Sequence, residues 1–104
     1  MIKPEKEINC RVQQTISILV RGRVQGVFYR QSAREKALAL GIAGTVQNNA
    51  DGTVAIKATG TRSQLDELIC WCRQGPPRAA VTDVAWKEEL LQVFSGFSIV
   101  RREA

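Results

Sequence analysis

The chain has 104 residues, 44% hydrophobic and 24% charged, with a net charge of +5, the size and balance of one globular domain with a single core. It contains no histidine, which excludes a Ser-His-Asp triad, a Cys-His pair and a phosphohistidine intermediate. No apolar run approaches the ~20 residues that span a membrane, and Met1-Ile2-Lys3-Pro4-Glu5-Lys6-Glu7 has no apolar segment of signal-peptide type, so a cytoplasmic protein is expected.

Residues 1–13 are mixed and mostly polar and read as an N-terminal tail before a single domain over 14–102. From Thr15 an alternation begins, with Ile16, Ile18 and Val20 on one face of a strand. Gly22 and Gly26 bracket a loop. A helix is predicted over Tyr29–Leu40, with Ala33, Ala37 and Leu40 at helical spacing and Gly41 as its stop. Ile42–Gln47 and Thr53–Ala58 read as two strands of a hairpin around the turn formers Asn48-Asn49-Ala50-Asp51-Gly52.

A second helix is predicted over Ser63–Gln74, with Ser63 as its cap and Asp66 in the capping-box position. Leu65, Leu68, Ile69 and Cys72 form its apolar stripe, and Gly75-Pro76-Pro77 ends it. Ala80–Lys87 and Phe97–Arg101 read as the last strands. This order predicts an α+β fold: a ferredoxin-like split βαβ sandwich, with two helices on one face of an antiparallel sheet.

The cysteines are Cys10, Cys70 and Cys72, too few and too odd in number for a disulfide framework. Cys70 and Cys72 point about 200° apart on a helix and have no histidine to complete a zinc site; they read as structural. Residues 21–36 concentrate the charge, with Arg21, Arg23, Arg30, Arg34 and Lys36 against Glu35 alone. Such a segment attracts phosphate, on a small molecule or on nucleic acid.

Gly22–Arg30 joins the first strand to the first helix, where backbone N–H groups of the loop and first helical turn are free to cradle an anion. An arginine in that turn can fork two phosphate oxygens. The segment lacks both the nucleotide P-loop and the dinucleotide glycine pattern, so spacing alone also allows a strand-to-helix turn with solvated arginines. Asn48 has two readings as well: it starts the hairpin turn, or its amide projects beside the first loop to hold a water or a developing charge.

The segment Gly22-Arg23-Val24-Gln25-Gly26-Val27-Phe28-Tyr29-Arg30 resembles the first signature of the acylphosphatase family, and Gly44-Thr45-Val46-Gln47-Asn48-Asn49-Ala50-Asp51-Gly52-Thr53-Val54 resembles its second. Gly75-Pro76 and Phe97-Ser98-Ile99 match further features of that family, and the likeness runs over residues 15–101. It implies the split βαβ fold and hydrolysis of the carboxyl–phosphate bond of small acyl phosphates without metal or cofactor. It implies Arg30 and Asn48 as catalytic residues and the backbone of Val24, Gln25, Gly26, Val27, Phe28 and Tyr29 as the phosphate cradle. Thr45 stands where many members have tryptophan, Tyr29 where phenylalanine is usual, and Val100-Arg101-Arg102 where a tyrosine is common.

A carboxylate is a good leaving group, so this reaction needs no general acid, in keeping with a chain lacking histidine. The expected partner is a small-molecule acyl phosphate, with no nucleic acid and no membrane, acting on a monomer. RNA-recognition domains share the order of elements, but they stack bases on aromatics of central strands, and Thr53–Ala58 has none. A carbamoyl-phosphate-handling relative is a second rival; such domains begin longer proteins, and a chain of this length is expected to be free-standing. Trp71 and Trp86 read as packing or partly exposed aromatics, Asp51 as a turn residue, and Asp66 and Glu67 as helix N-terminal acids. Arg101 and Arg102 read as solvated terminal charges, and Arg23 as either a phosphate attractor or a solvated loop residue.

Overall fold

The computed structural model describes residues 12–101. In β1 (Gln13–Arg23) the alternation turns Ile16, Ile18 and Val20 into the core, while Ser17 and Leu19 face the other side of the sheet. The helix α1 (Tyr29–Leu40) buries Tyr29, Ala33 and Ala37, and Gly41 ends it by donating to the carbonyls of Ala37 and Leu38. The hairpin strands β2 (Ala43–Asn48) and β3 (Val54–Thr61) add Val46, Val54, Ile56 and Ala58 to the same core. Helix α2 (Arg62–Gln74) closes it with Leu65, Leu68, Ile69 and Cys72. Two strands follow, β4 (Ala80–Glu89) and β5 (Phe97–Val100).

The sheet order is β4-β1-β3-β2-β5. The expected split βαβ sandwich is present, but the sheet is mixed rather than wholly antiparallel, because β5 runs parallel to β2, with Val46 beside Ile99. The reason lies in the connection. β4 finishes at the end of the sheet where β1 begins, since Thr15 pairs with Glu89. The chain crosses that end from one edge to the other and re-enters in the direction of β2. Buried Thr15 and Thr59 hold the crossing: their hydroxyls pair at 2.6 Å, Thr59 donates to the Gln92 carbonyl at 2.7 Å, and the Gln92 N–H donates to Thr15 Oγ1 at 2.9 Å. The ends of β1, β2 and β5 therefore gather at the opposite end of the sheet.

Gly22 is required where β4 meets β1. Its φ is 121°, and a Cβ there would overlap the carbonyl oxygen of Ala80. The pairing slips here, from Arg21 opposite Asp83 to Gly22 opposite Val81. The extra residue in β4 lets both Val81 and Val84 pack against the core.

Helix α2 starts earlier than its sequence suggests. Thr61, not Ser63, is its N-cap, and Gln64, not Asp66, completes the capping box: Gln64 N–H donates to Thr61 Oγ1 at 3.2 Å and Thr61 N–H donates to Gln64 Oε1 at 2.8 Å. β3 runs directly into this cap. Asp66 and Glu67 consequently fall beyond the first turn, and Asp66 pairs with Arg62 one turn away at 3.4 Å. Cys70 is exposed and Cys72 buried, as their spacing predicts. Gln13 already belongs to β1. The rest of the expected tail through Arg11, with Cys10, lies outside the described residues, as does Arg102.

Candidate active site

The strand-to-helix loop is held from below by two buried valines, Val24 and Val27. Between them Gly26 has φ 74° and is exposed. Phe28 then takes the left-handed region, φ 64° and ψ 25°, and is the one described residue other than glycine with positive φ. It occupies the N-cap of α1 with no side-chain cap, and its ring is 67% exposed. The first helical bond runs from Ser32 N–H to the Phe28 carbonyl at 3.0 Å. The N–H groups of Tyr29, Arg30 and Gln31 precede it and take no acceptor among the described residues. A capping serine or aspartate would consume one of them; phenylalanine cannot.

Tyr29 fixes this turn to the core. It is 1% exposed, its hydroxyl donates to the Cys72 carbonyl at 2.8 Å, and its ring packs on Trp71 at 5.2 Å between centroids. Burial pushes its phenol well above the ordinary range, and burial pushes the neighbouring Cys72 thiol up to about 12. Both groups stay protonated at neutral pH and serve as structure.

Asn48 ends β2 opposite Val54 of β3. The turn behind it is locked. Asp51 accepts from Thr53 N–H at 3.1 Å and from Thr53 Oγ1 at 2.7 Å, which holds its carboxyl below the ordinary value. Gln25 joins the two halves of the site: its Nε2 donates to the carbonyls of Asn49 at 2.8 Å and Thr53 at 2.9 Å. Asn48 Oδ1 is buried and has no hydrogen-bond partner among the described residues. A buried acceptor left open is costly unless something else fills it.

One cavity of about 270 Å³ brings together Val24, Gly26, Phe28, Tyr29, Arg30 and Asn48, with Gln31, Ile99 and Arg101. Among the described residues no carboxylate lines it. Gln25 and Val27 are not among its walls. The Gln25 side chain is engaged by the hairpin and the Val27 side chain lies in the core. Both instead border a groove beyond Gly26, with Arg23 and Arg78. Sequence reading missed Gln31, Ile99 and Arg101. For Ile99 and Arg101 the only signal is that Phe97–Arg101 reads as a strand, whose pairing with β2 is not visible in sequence, and for Gln31 it is its place beside Arg30 in the first turn of α1.

The acylphosphatase family model matches residues 16–99. The chain belongs to the acylphosphatase family. It is similar to the acylphosphatase of Acaryochloris marina, 48% identical over 86 residues that cover 83% of this chain and 92% of that protein. Among solved structures it resembles the acylphosphatase from Coxiella burnetii, with a TM-score of 0.82 and 40% identity over 85% of this chain and 93% of that one. The acylphosphatase from Bacillus subtilis gives 0.81 and 36% identity over 86% and 99% of the two chains. Its activity is that of an acylphosphatase, hydrolysis of acyl phosphates.

Two of the positions that set this sequence apart in the resemblance, Tyr29 and Thr45, have a clear place in the structure of this acylphosphatase. The Tyr29 hydroxyl, absent from a phenylalanine, has its own acceptor in Cys72. Thr45 lies on the sheet face away from the helices, in a groove with Lys57 and Trp86 that shares no wall with the cavity around Arg30.

Proposed function

We propose that the Arg30 guanidinium and the backbone N–H groups of Val24 through Tyr29 form a phosphate-binding loop for the phosphoryl group of a small acyl phosphate, while Asn48 orients the attacking water. Water attacks phosphorus, the bond from phosphorus to the carboxylate oxygen breaks, and the carboxylate leaves with that electron pair. The water's proton passes to a phosphoryl oxygen of the substrate. The fixed donors stabilise the charge that builds on the phosphoryl oxygens, and the open Asn48 Oδ1 accepts a hydrogen from water and aims its lone pair.

The observation that carries this reading is that unpartnered, buried Oδ1 in the same cavity as Arg30. Arg30 and the loop donors bind the phosphoryl group directly, so this proposed reaction calls on neither metal nor cofactor. The reading extends to a single acylphosphatase domain whose first strand begins at Gln13, working as a cytoplasmic monomer without nucleic-acid or membrane partners.

Purified protein should hydrolyse acetyl or benzoyl phosphate in excess chelator. Arg30→Ala and Asn48→Ala should each lower turnover by about 10²–10³ with the circular dichroism of the fold retained. Near wild-type turnover in either variant would remove that residue from the mechanism, and loss of activity in chelator would bring a metal into it. Size-exclusion with light scattering tests the monomer.

A further inference from the structure

The loop motif supplies one side-chain cation to the cavity, but the described residues give it two. Arg101 lines it together with Arg30 and Asn48. The route there is through the sheet. β5 runs parallel to β2 with Gln47 beside Val100, so the next residue on each strand, Asn48 and Arg101, leaves the sheet side by side. Ile99, two residues before, lines the same cavity, as the period of two along a strand requires.

The strand is fixed at its start from both sides. Arg34 Nε donates to the Phe97 carbonyl from α1 at 2.8 Å, and Gly44 N–H donates to the Gly96 carbonyl at 2.9 Å from β2. Arg101 thus projects from an anchored strand rather than from a loose end. Among the described residues no carboxylate lines the cavity to neutralise it. A phosphoryl group carries close to two negative charges at neutral pH, and Arg30 supplies one positive charge, with only partial charges from the amides.

We propose that Arg101 is a second phosphate-binding cation of this site, setting affinity for the phosphoryl group on the substrate and for inorganic phosphate, the product. This rests on the reading that the cavity binds the phosphoryl group. Arg101 is exposed, so its contribution is that of a solvent-screened pair, about fivefold in affinity, and it fades as salt shortens the Debye length. It acts in binding, so it appears in KM and in product inhibition more than in kcat.

The test compares wild type with Arg101→Gln and Arg101→Lys, using acetyl phosphate as substrate and inorganic phosphate as inhibitor and ligand. Arg101→Gln should raise KM and the competitive inhibition constant of phosphate by the same factor, about fivefold, and Arg101→Lys should restore part of both. The difference should shrink in about 1 M salt. Calorimetric titration with inorganic phosphate should give the same loss without turnover. Melting in phosphate-free buffer should match wild type, which separates binding from a structural role.

Unchanged phosphate affinity in Arg101→Gln would overturn the proposal, as would a rise in KM without a matching rise in the inhibition constant. If the wild type binds no phosphate and hydrolyses no acetyl phosphate, the reading of the cavity itself fails. If it does both while Arg101→Gln binds phosphate as tightly, only the role of Arg101 fails.

Discussion

Replacing Tyr29 by phenylalanine removes a single oxygen, yet it should destabilise the fold measurably. The acceptor of the Tyr29 hydroxyl is the Cys72 carbonyl, buried and 2.8 Å away. In a continuing helix that carbonyl would accept from the N–H of the residue four positions on. That residue is Pro76, which has no N–H. Gly75 cannot substitute, since its N–H already donates to the Trp71 carbonyl at 2.8 Å. Tyr29→Phe therefore strands a buried acceptor, at a cost of about 1–3 kcal/mol. At about 2 kcal/mol the melting temperature of a domain this size falls by roughly 10 °C. The ring stays against Trp71, so the loss belongs to the hydroxyl alone. Urea unfolding of both proteins checks it, with the slope unchanged and the midpoint lowered. A change below about 0.5 kcal/mol, the range of ordinary surface substitutions, would mean that water satisfies Cys72 and that the hydroxyl does not tie α1 to α2.

Thr61→Ala should cost about 1 kcal/mol by removing the capping box, and Ser63→Ala close to nothing; equal losses in chemical denaturation would restore Ser63 as the cap. The lowered Asp51 carboxyl contributes stability that is fully present above its ordinary value of 3.8 and is lost as pH falls through its lower folded value. Asp51→Asn should remove that part of the acid dependence, read as a shallower fall of unfolding free energy below about pH 4, and an unaltered slope would exclude the Thr53 contact as its source. Phe28→Asn should raise stability by about 1 kcal/mol, because asparagine tolerates the left-handed region, while lowering acyl phosphate turnover as its amide competes for the free N–H groups. Denaturation and activity measured on one preparation test the pair, and a variant gaining both would refute the link between strain and binding.

Elements whose local pattern decides their fate were legible. Helix α1 spans Tyr29–Leu40 as expected, because Ala33 and Ala37 mark its buried face and Gly41 its end. The start of α2 was not. Thr61-Arg62-Ser63-Gln64 and Ser63-Gln64-Leu65-Asp66 both carry cap chemistry two residues apart, and the choice between them depends on β3 continuing to Thr61. The direction of β5 was hidden for a different reason. Four residues of strand carry no mark of their partner, and the crossing that sets their direction is pinned by Thr15 and Thr59, 44 residues apart in sequence. In sequence Arg101 reads as a terminal charge, because that pairing alone brings it beside Asn48.

The site itself was legible as two motifs, but not as a machine, because the residue that joins them looks like part of one. Gln25 lies inside the loop signature, and its amide nitrogen donates to two carbonyls of the hairpin. The reverse holds at Phe28. By local rules it is a poor choice twice over: a left-handed backbone costs a side-chain-bearing residue about 1–2 kcal/mol, and an N-cap without an acceptor forgoes about 1 kcal/mol more. Both costs have one structural result, three N–H groups at the head of α1 that no atom of the described residues claims. Local preference and global fold agree through most of this chain, so a disagreement of this size, confined to the loop that walls the Arg30 cavity, marks where stability gives way to the phosphate binding proposed for it.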